Sequence, residues 1–154
     1  TLDSFCKKVS ELRRATGASD SYRNELVNKI KYIKAALMDV PDNLPGLNEQ
    51  VFAIENRLNN LNIKMNGDAS LSKREFETKP SINSRIGTIE YTLWNASSAP
   101  TQTFIQSYDI ASKLFAGVLS ELKLIDAEIK KIEVTLEQNK APYTPGRLPE
   151  WKEK

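Results

Sequence analysis

Histidine is missing from all 154 residues, and cysteine occurs once, at Cys6. Without histidine the chain has no side chain whose ordinary titration falls near neutral pH, and it lacks the commonest metal ligand. Ser-His-Asp, Cys-His and His-Glu-x-x-His chemistry is therefore excluded within it. A single cysteine allows no internal disulfide and does not report the redox compartment. Beside an apolar helical position, it reads as an inert thiol. Glycine is scarce, with six residues, and aromatics make up 8%, a balance that leans toward helix over sheet. The formal charge of +2 creates no strong field for nucleic acid or an anionic membrane. Continuous apolar runs are also absent, and none approaches the roughly 18 residues a membrane span needs. The chain opens on Thr1 without methionine or a signal sequence, which reads as a mature or excised fragment.

What is present is helical periodicity. Steps of three and four residues place apolar side chains on one helix face. Phe104, Tyr108, Ala111, Phe115, Val118, Leu122, Ile125, Ile129, Ile132 and Leu136 predict a helix over about residues 100 to 139, close to 60 Å long at 1.5 Å per residue. Pro100 is expected in its first turn, Ser98 or Ala99 as the cap, and Pro142 beyond its end. At the N-terminus, Phe5, Val9, Leu12, Thr16, Ser19, Arg23, Leu26, Ile30, Ile33, Leu37 and Val40 keep one phase across the loop-like Ala15–Asp20. The rhythm predicts one helix over about Leu2 to Asp39, with Gly17 weakening it by about 1 kcal/mol; two helices broken near Gly17 are the alternative.

Two shorter stripes lie between. Leu47, Val51, Ile54, Leu58, Leu61 and Met65 form one, opened by Pro45 and closed by Asn66-Gly67. Ile82, Ile86, Ile89 and Leu93 form the other after Pro80-Ser81, with Gly87 offering a close approach for a neighbour. Residues 67–80 are polar and read as a connection, with one local capping turn over Ser72 to Glu75. Short connections make sequential helices neighbours. The expected fold is all-α: an antiparallel up-down four-helix bundle over residues 1–140, with long first and last helices and two shorter middle ones. An extended, Pro-rich C-terminal tail follows over residues 141–154.

The middle helices, about 20 to 30 Å each, are expected to cover one end of the long pair and leave apolar flanks at the other. The tail A-P-Y-T-P-G-R-L-P-E-W, Ala141 to Trp151, then has a purpose. Either it folds back, with Tyr143, Leu148 and Trp151 on the flank and Pro145-Gly146 turning the chain, or it docks on a neighbouring domain.

No motif supports catalysis, a cofactor or a metal. Acidic and basic residues of the last helix mix both signs, as a solvated face does. Asn66-Gly67-Asp68 lacks the oxygen series of a calcium loop, and Asn95-Ala96-Ser97 is a glycosylation sequon only in a eukaryotic secretory pathway. The stretch from Trp94 to Thr103 reads as a hinge between helices. Its Thr101, Gln102 and Thr103 lie at a helix N-terminus, able to cap it or to hold a partner's carbonyl or an anion. Candidate interaction residues are therefore Trp94, Pro100, Thr101 and Gln102 at the hinge, and Tyr143, Pro145, Gly146, Arg147, Leu148, Pro149 and Trp151 in the tail.

Three motifs together, S-I-N-S-R-I-G (Ser81–Gly87), W-x₃-S-A-P-T-Q-T (Trp94–Thr103) and the tail from Ala141 to Trp151, give a family resemblance. The chain resembles the C-terminal helical region of secreted bacterial Asp-box (BNR) repeat glycosyl hydrolase-like proteins, which carry sortilin- or sialidase-like β-propellers upstream. Tyr143 stands where tryptophan is expected in many relatives. Because the Asp-box pattern and the propeller lie outside these residues, no catalytic residue is transferred. The resemblance implies a non-catalytic accessory domain of an exported protein, periplasmic, cell-surface or secreted, whose partner is the propeller of the same polypeptide. The alternatives are a homodimerising helical adaptor and a carbohydrate-binding module using Trp94, Trp151, Tyr143 and Tyr91.

Overall fold

An unbroken helix, α1, runs over Leu2–Met38, and a second of the same length, α4, runs over Gln102–Gln138. Between them lie α2, Leu47–Asn66, and α3, Ile82–Asn95. The computed structural model describes residues 2–40, 44, 46–70, 79–95 and 100–153. Pro45, the Ser72–Glu75 turn, and Ser98 and Ala99 as caps lie outside the described residues. The fold is an all-α four-helix bundle with long first and last helices.

The apolar stripes are its core. Phe5, Val9, Leu12, Leu26, Ile30 and Ile33 are buried from α1, and every member of the α2 stripe from Leu47 to Met65 is buried. Ile82, Ile86 and Ile89 come from α3, and eight residues from Ala111 to Leu136 come from α4. Each fully buried Leu, Ile or Phe adds about 1.5–3 kcal/mol relative to exposure. This explains why α1 passes through Gly17: the phase of burial is continuous on both sides, and the gain outweighs one weak helix former. A Cβ at Gly17 would meet nothing within 4 Å.

Local chemistry sets the ends. Gly67, with φ 86°, stops α2, and its N–H donates to Ile63 O at 2.7 Å. The Ser81 hydroxyl accepts from Ser84 N–H at 3.1 Å and starts α3. The start of α4 differs from expectation. Its cap is Thr101, whose Oγ1 accepts from Phe104 N–H at 3.4 Å, so Pro100 precedes the cap rather than joining the first turn. Thr101 holds the extended backbone of a cap, φ −76° and ψ 159°, so the helix opens two residues along, at Gln102.

Cross-helix contacts fix directions. Tyr22 bonds Asp126 and Lys29 bonds Glu133, both with a sequence separation of 104 residues, and the Phe5 and Tyr108 rings meet edge-on. Hence α1 and α4 are parallel and in register along their length. The short helices run against both. Lys34 pairs with Glu55 and Asp20 with Asn66; then Arg13 bonds Asn83 and Glu90, and Leu93 and Trp94 share a groove with Cys6 and Val9. As the chain advances through α2 and α3, its partners on α1 recede steadily toward the N-terminus.

The two short helices therefore follow one another down the same side of the long pair. This revises the expectation that both cover one end and leave two helices alone at the other. Together they extend about 51 Å against about 56 Å for each long helix, so the third side is filled end to end. At their joint Met65 and Ile82 stay in the apolar core, and α1 sets polar groups beside them. Thr16 and Arg23 are buried there; Thr16 Oγ1 donates to Arg13 O, Arg23 pairs with Asp20 at 3.0 Å, and Asn66 links Asp20 to Asn83. Gly87 is not a site of close helix approach, since a Cβ there would meet only the Arg13 guanidinium at 3.7 Å.

On the remaining side, α1 and α4 are joined directly. Tyr22 donates to Asp126 Oδ1 at 2.5 Å, and that bond, followed by burial, pushes the Tyr22 hydroxyl up to about 12. Burial pushes Asp126 upward, but the Tyr22 bond and Lys130 outweigh it and hold the carboxyl below its ordinary value.

Two measurements check this frame. Gly17→Ala should raise stability to urea by about 1 kcal/mol, since the helix is continuous and the site open. The Tyr22–Asp126 bond is at full strength between about pH 4 and 10. It weakens below that window as Asp126 protonates, and above it as Tyr22 ionises toward pH 12. Urea midpoints of wild type and Tyr22→Phe should differ most inside the window and converge at both edges; a constant difference would remove the bond from the account.

Candidate interaction surfaces

The tail begins with a specific helix ending. Ala141 N–H donates to Leu136 O at 3.0 Å and Lys140 N–H to Glu137 O at 3.1 Å, while Lys140 takes φ 53°. This is a Schellman arrangement with lysine in the left-handed position that glycine usually occupies. Ala141 then packs against the core. Farther on, Pro145 and Gly146 form a type II turn closed by Arg147 N–H on Thr144 O at 3.3 Å, with Gly146 at φ 85°. Glycine is favoured here by that positive φ, and a Cβ would also press on the end of the Lys29 side chain, 3.0 Å from Nζ.

Arg147 locks the turn to the bundle. Its guanidinium is buried and donates to Glu137, to Ala141 O, to Pro142 O and to Thr144 Oγ1. Glu137 accepts in addition from Glu150 N–H at 2.9 Å. The Ala141 and Pro142 carbonyls lie just beyond the last turn of α4, where the negative end of the helix dipole also favours a cation with a fan of donors. Beside it, Lys29 pairs with the buried Glu133 at 3.2 Å.

The expected fold-back on Tyr143, Leu148 and Trp151 is not what anchors the tail. Thr144 and Arg147 face inward, while Tyr143 is 72% exposed, Leu148 88% and Trp151 82%. The reason is stereochemical. Successive side chains of extended backbone point to opposite sides, so burying Thr144 turns Tyr143 outward and burying Arg147 turns Leu148 outward. The two-helix section that the tail was expected to cover is also missing, because α2 and α3 together run along the third side of the long pair.

The sequence-predicted residues fall at two ends of the bundle. Tyr143, Arg147, Pro149 and Trp151 line one groove of about 660 Å³ with the last turn of α4; Pro145 and Gly146 turn the chain beneath it, and Leu148 stands free. Trp94, 91% exposed, lies at the opposite end beside Tyr91, also exposed, and lines a groove with Cys6, Val9 and Leu93. Pro100, Thr101 and Gln102 share that end; Thr101 serves as the α4 cap, and Gln102 opens the helix. About 55 Å of α4 separates the two groups. Glu137 and Thr144, which hold Arg147, escape sequence reading, as do Lys140 and Lys152 of the groove lining, because only the folded turn brings these stretches of chain together. Among the described residues no three acidic or cysteine side chains converge as a metal site, and no helix is long and apolar enough to cross a membrane.

No family model, curated protein or solved structure matches this chain.

Replacing Arg147 with alanine removes the shared partner of four acceptors. Amide exchange over residues 144–150 should then accelerate while α1 and α4 keep their protection. Tyr143→Ser, by contrast, should change urea stability by less than about 0.5 kcal/mol, because its ring touches little. A loss above about 1 kcal/mol would show that the ring is a packing anchor.

Proposed function

We propose that this chain is a non-catalytic accessory and interaction domain of a larger exported protein. It packs against and orients a β-propeller carried upstream in the same polypeptide, as its resemblance to the helical ends of Asp-box repeat proteins implies. The observation that supports the reading is Trp94, an almost fully exposed indole beside exposed Tyr91, on a bundle whose interior is already filled. Exposed aromatics on rigid helices favour a partner surface, where they supply large contact area at low entropic cost. The location fits as well. Leu2 opens α1 at this same end, so whatever is joined ahead of it meets Trp94, Tyr91 and Gln102 first. The periplasm, cell surface or medium is the setting this reading implies, and homodimerisation through the same rings is the competing use of the surface.

The experiment expresses the upstream propeller separately and titrates it with this domain. Trp94→Ala should weaken association by about 2 kcal/mol or more, roughly thirtyfold in Kd, while leaving helicity unchanged. No association at about 100 µM sinks the reading; a concentration-dependent dimer that Trp94→Ala abolishes would replace it with self-association.

A further inference from the structure

The tail groove lies at the other end of the molecule and poses a separate question. Its floor is largely committed to internal bonds. Arg147 donates to Glu137, Thr144 and two carbonyls, and both Glu137 oxygens accept, one from Arg147 and one from Glu150 N–H. What remains to meet a ligand is mostly apolar or cationic: the rings of Tyr143, Pro149 and Trp151, with Lys140, Lys152 and the Gln138 amide. Among the described residues neither lysine enters an ion pair, and Glu150 is the remaining carboxylate of the lining.

That chemistry discriminates between ligands. A saccharide is read by polar groups fixed in place to meet its hydroxyls, and here Arg147 and Glu137 are committed internally, while the side chains of Gln138, Glu150 and the two lysines are held by no hydrogen bond or ion pair among the described residues. An extended proline-rich peptide makes the opposite demand. Its rigid rings insert between aromatic side chains, its polyproline conformation loses little entropy on docking, and its exposed carbonyls need only a donor such as an indole N–H or phenol O–H. The groove's volume of about 660 Å³ lies within the usual range for binding clefts, roughly 300–1,000 Å³. The excess of lysine over carboxylate selects acidic residues among the prolines.

We infer that the groove formed by the C-terminal tail and the end of α4 binds an acidic, proline-rich segment in polyproline conformation. Tyr143, Pro149 and Trp151 supply its apolar lining, and Lys140 and Lys152 attract the charge. Arg147 is a positioning residue, since its bonds to Glu137, Thr144 and two carbonyls hold the turn that carries these rings. The inference does not depend on the propeller or on Trp94.

The test uses Trp94→Phe, which leaves Trp151 as the sole indole, and follows its fluorescence during titration with a synthetic peptide of Pro-Pro-Glu repeats. A saturable blue shift is expected. Tyr143→Ala and the double variant Lys140→Glu, Lys152→Glu should each weaken binding at least tenfold, with circular dichroism unchanged because these side chains are exposed. Three results would overturn the inference: no saturable response at millimolar peptide, equal binding of a Gly-Ser-Glu peptide that has the charge without the prolines, or a response to oligosaccharides that exceeds the response to the peptide.

Discussion

Two parallel helices of equal length cannot bury their inner faces alone, because a pair of cylinders leaves an open trough on each side. In this protein one trough is filled along its full length by two shorter helices in succession. Everything else in the fold follows from that constraint. The long helices must stay in register, which Tyr22–Asp126 and Lys29–Glu133 do by repeating the same sequence offset. Where the short helices meet, Met65 and Ile82 remain buried in the core, and Asp20 links Arg23 to Asn66 and through it to Asn83 at the margin. Burying Arg23 is tolerable because Asp20 and Asn24 accept from it.

Parallel long helices also separate the two candidate surfaces. The start of α1 and the start of α4 share one end, with Trp94 at the close of α3 beside them; the tail leaves from the other. Each end carries aromatic side chains held outward for a local reason, the finish of a short helix at one and an arginine-locked turn at the other. A surface that faces a preceding domain and a groove that takes an extended peptide can thus be occupied together.

The tail shows why residue type alone misassigns burial. Leu148 and Trp151 are more apolar than Thr144 and Arg147, yet the polar pair is inside. The Ala141 and Pro142 carbonyls and the Glu137 carboxylate need donors, and arginine supplies several from one planar group. Leaving those acceptors unpaired would cost more than leaving an indole in water, where a partner can still cover it. The Pro145-Gly146 turn was legible from its two residues, since proline presets one dihedral angle and glycine accepts the other. The guanidinium that fastens it was not, because its partners lie up to ten residues away.

By itself the sequence determined the helices, their buried faces and the continuity of α1 through Gly17, because helical periodicity is a local property that three- and four-residue spacing records directly. It also determined which chemistry the chain cannot assemble from its own side chains, since an absent residue type is absent in any fold. Only the tertiary structure decided that α2 and α3 run in succession beside parallel long helices, and that the tail buries an arginine rather than its rings. The first depends on which faces meet across 21 to 104 residues of chain, the second on a turn that brings Arg147 back to Glu137 ten residues before it, and no spacing along one helix encodes the partner it will find.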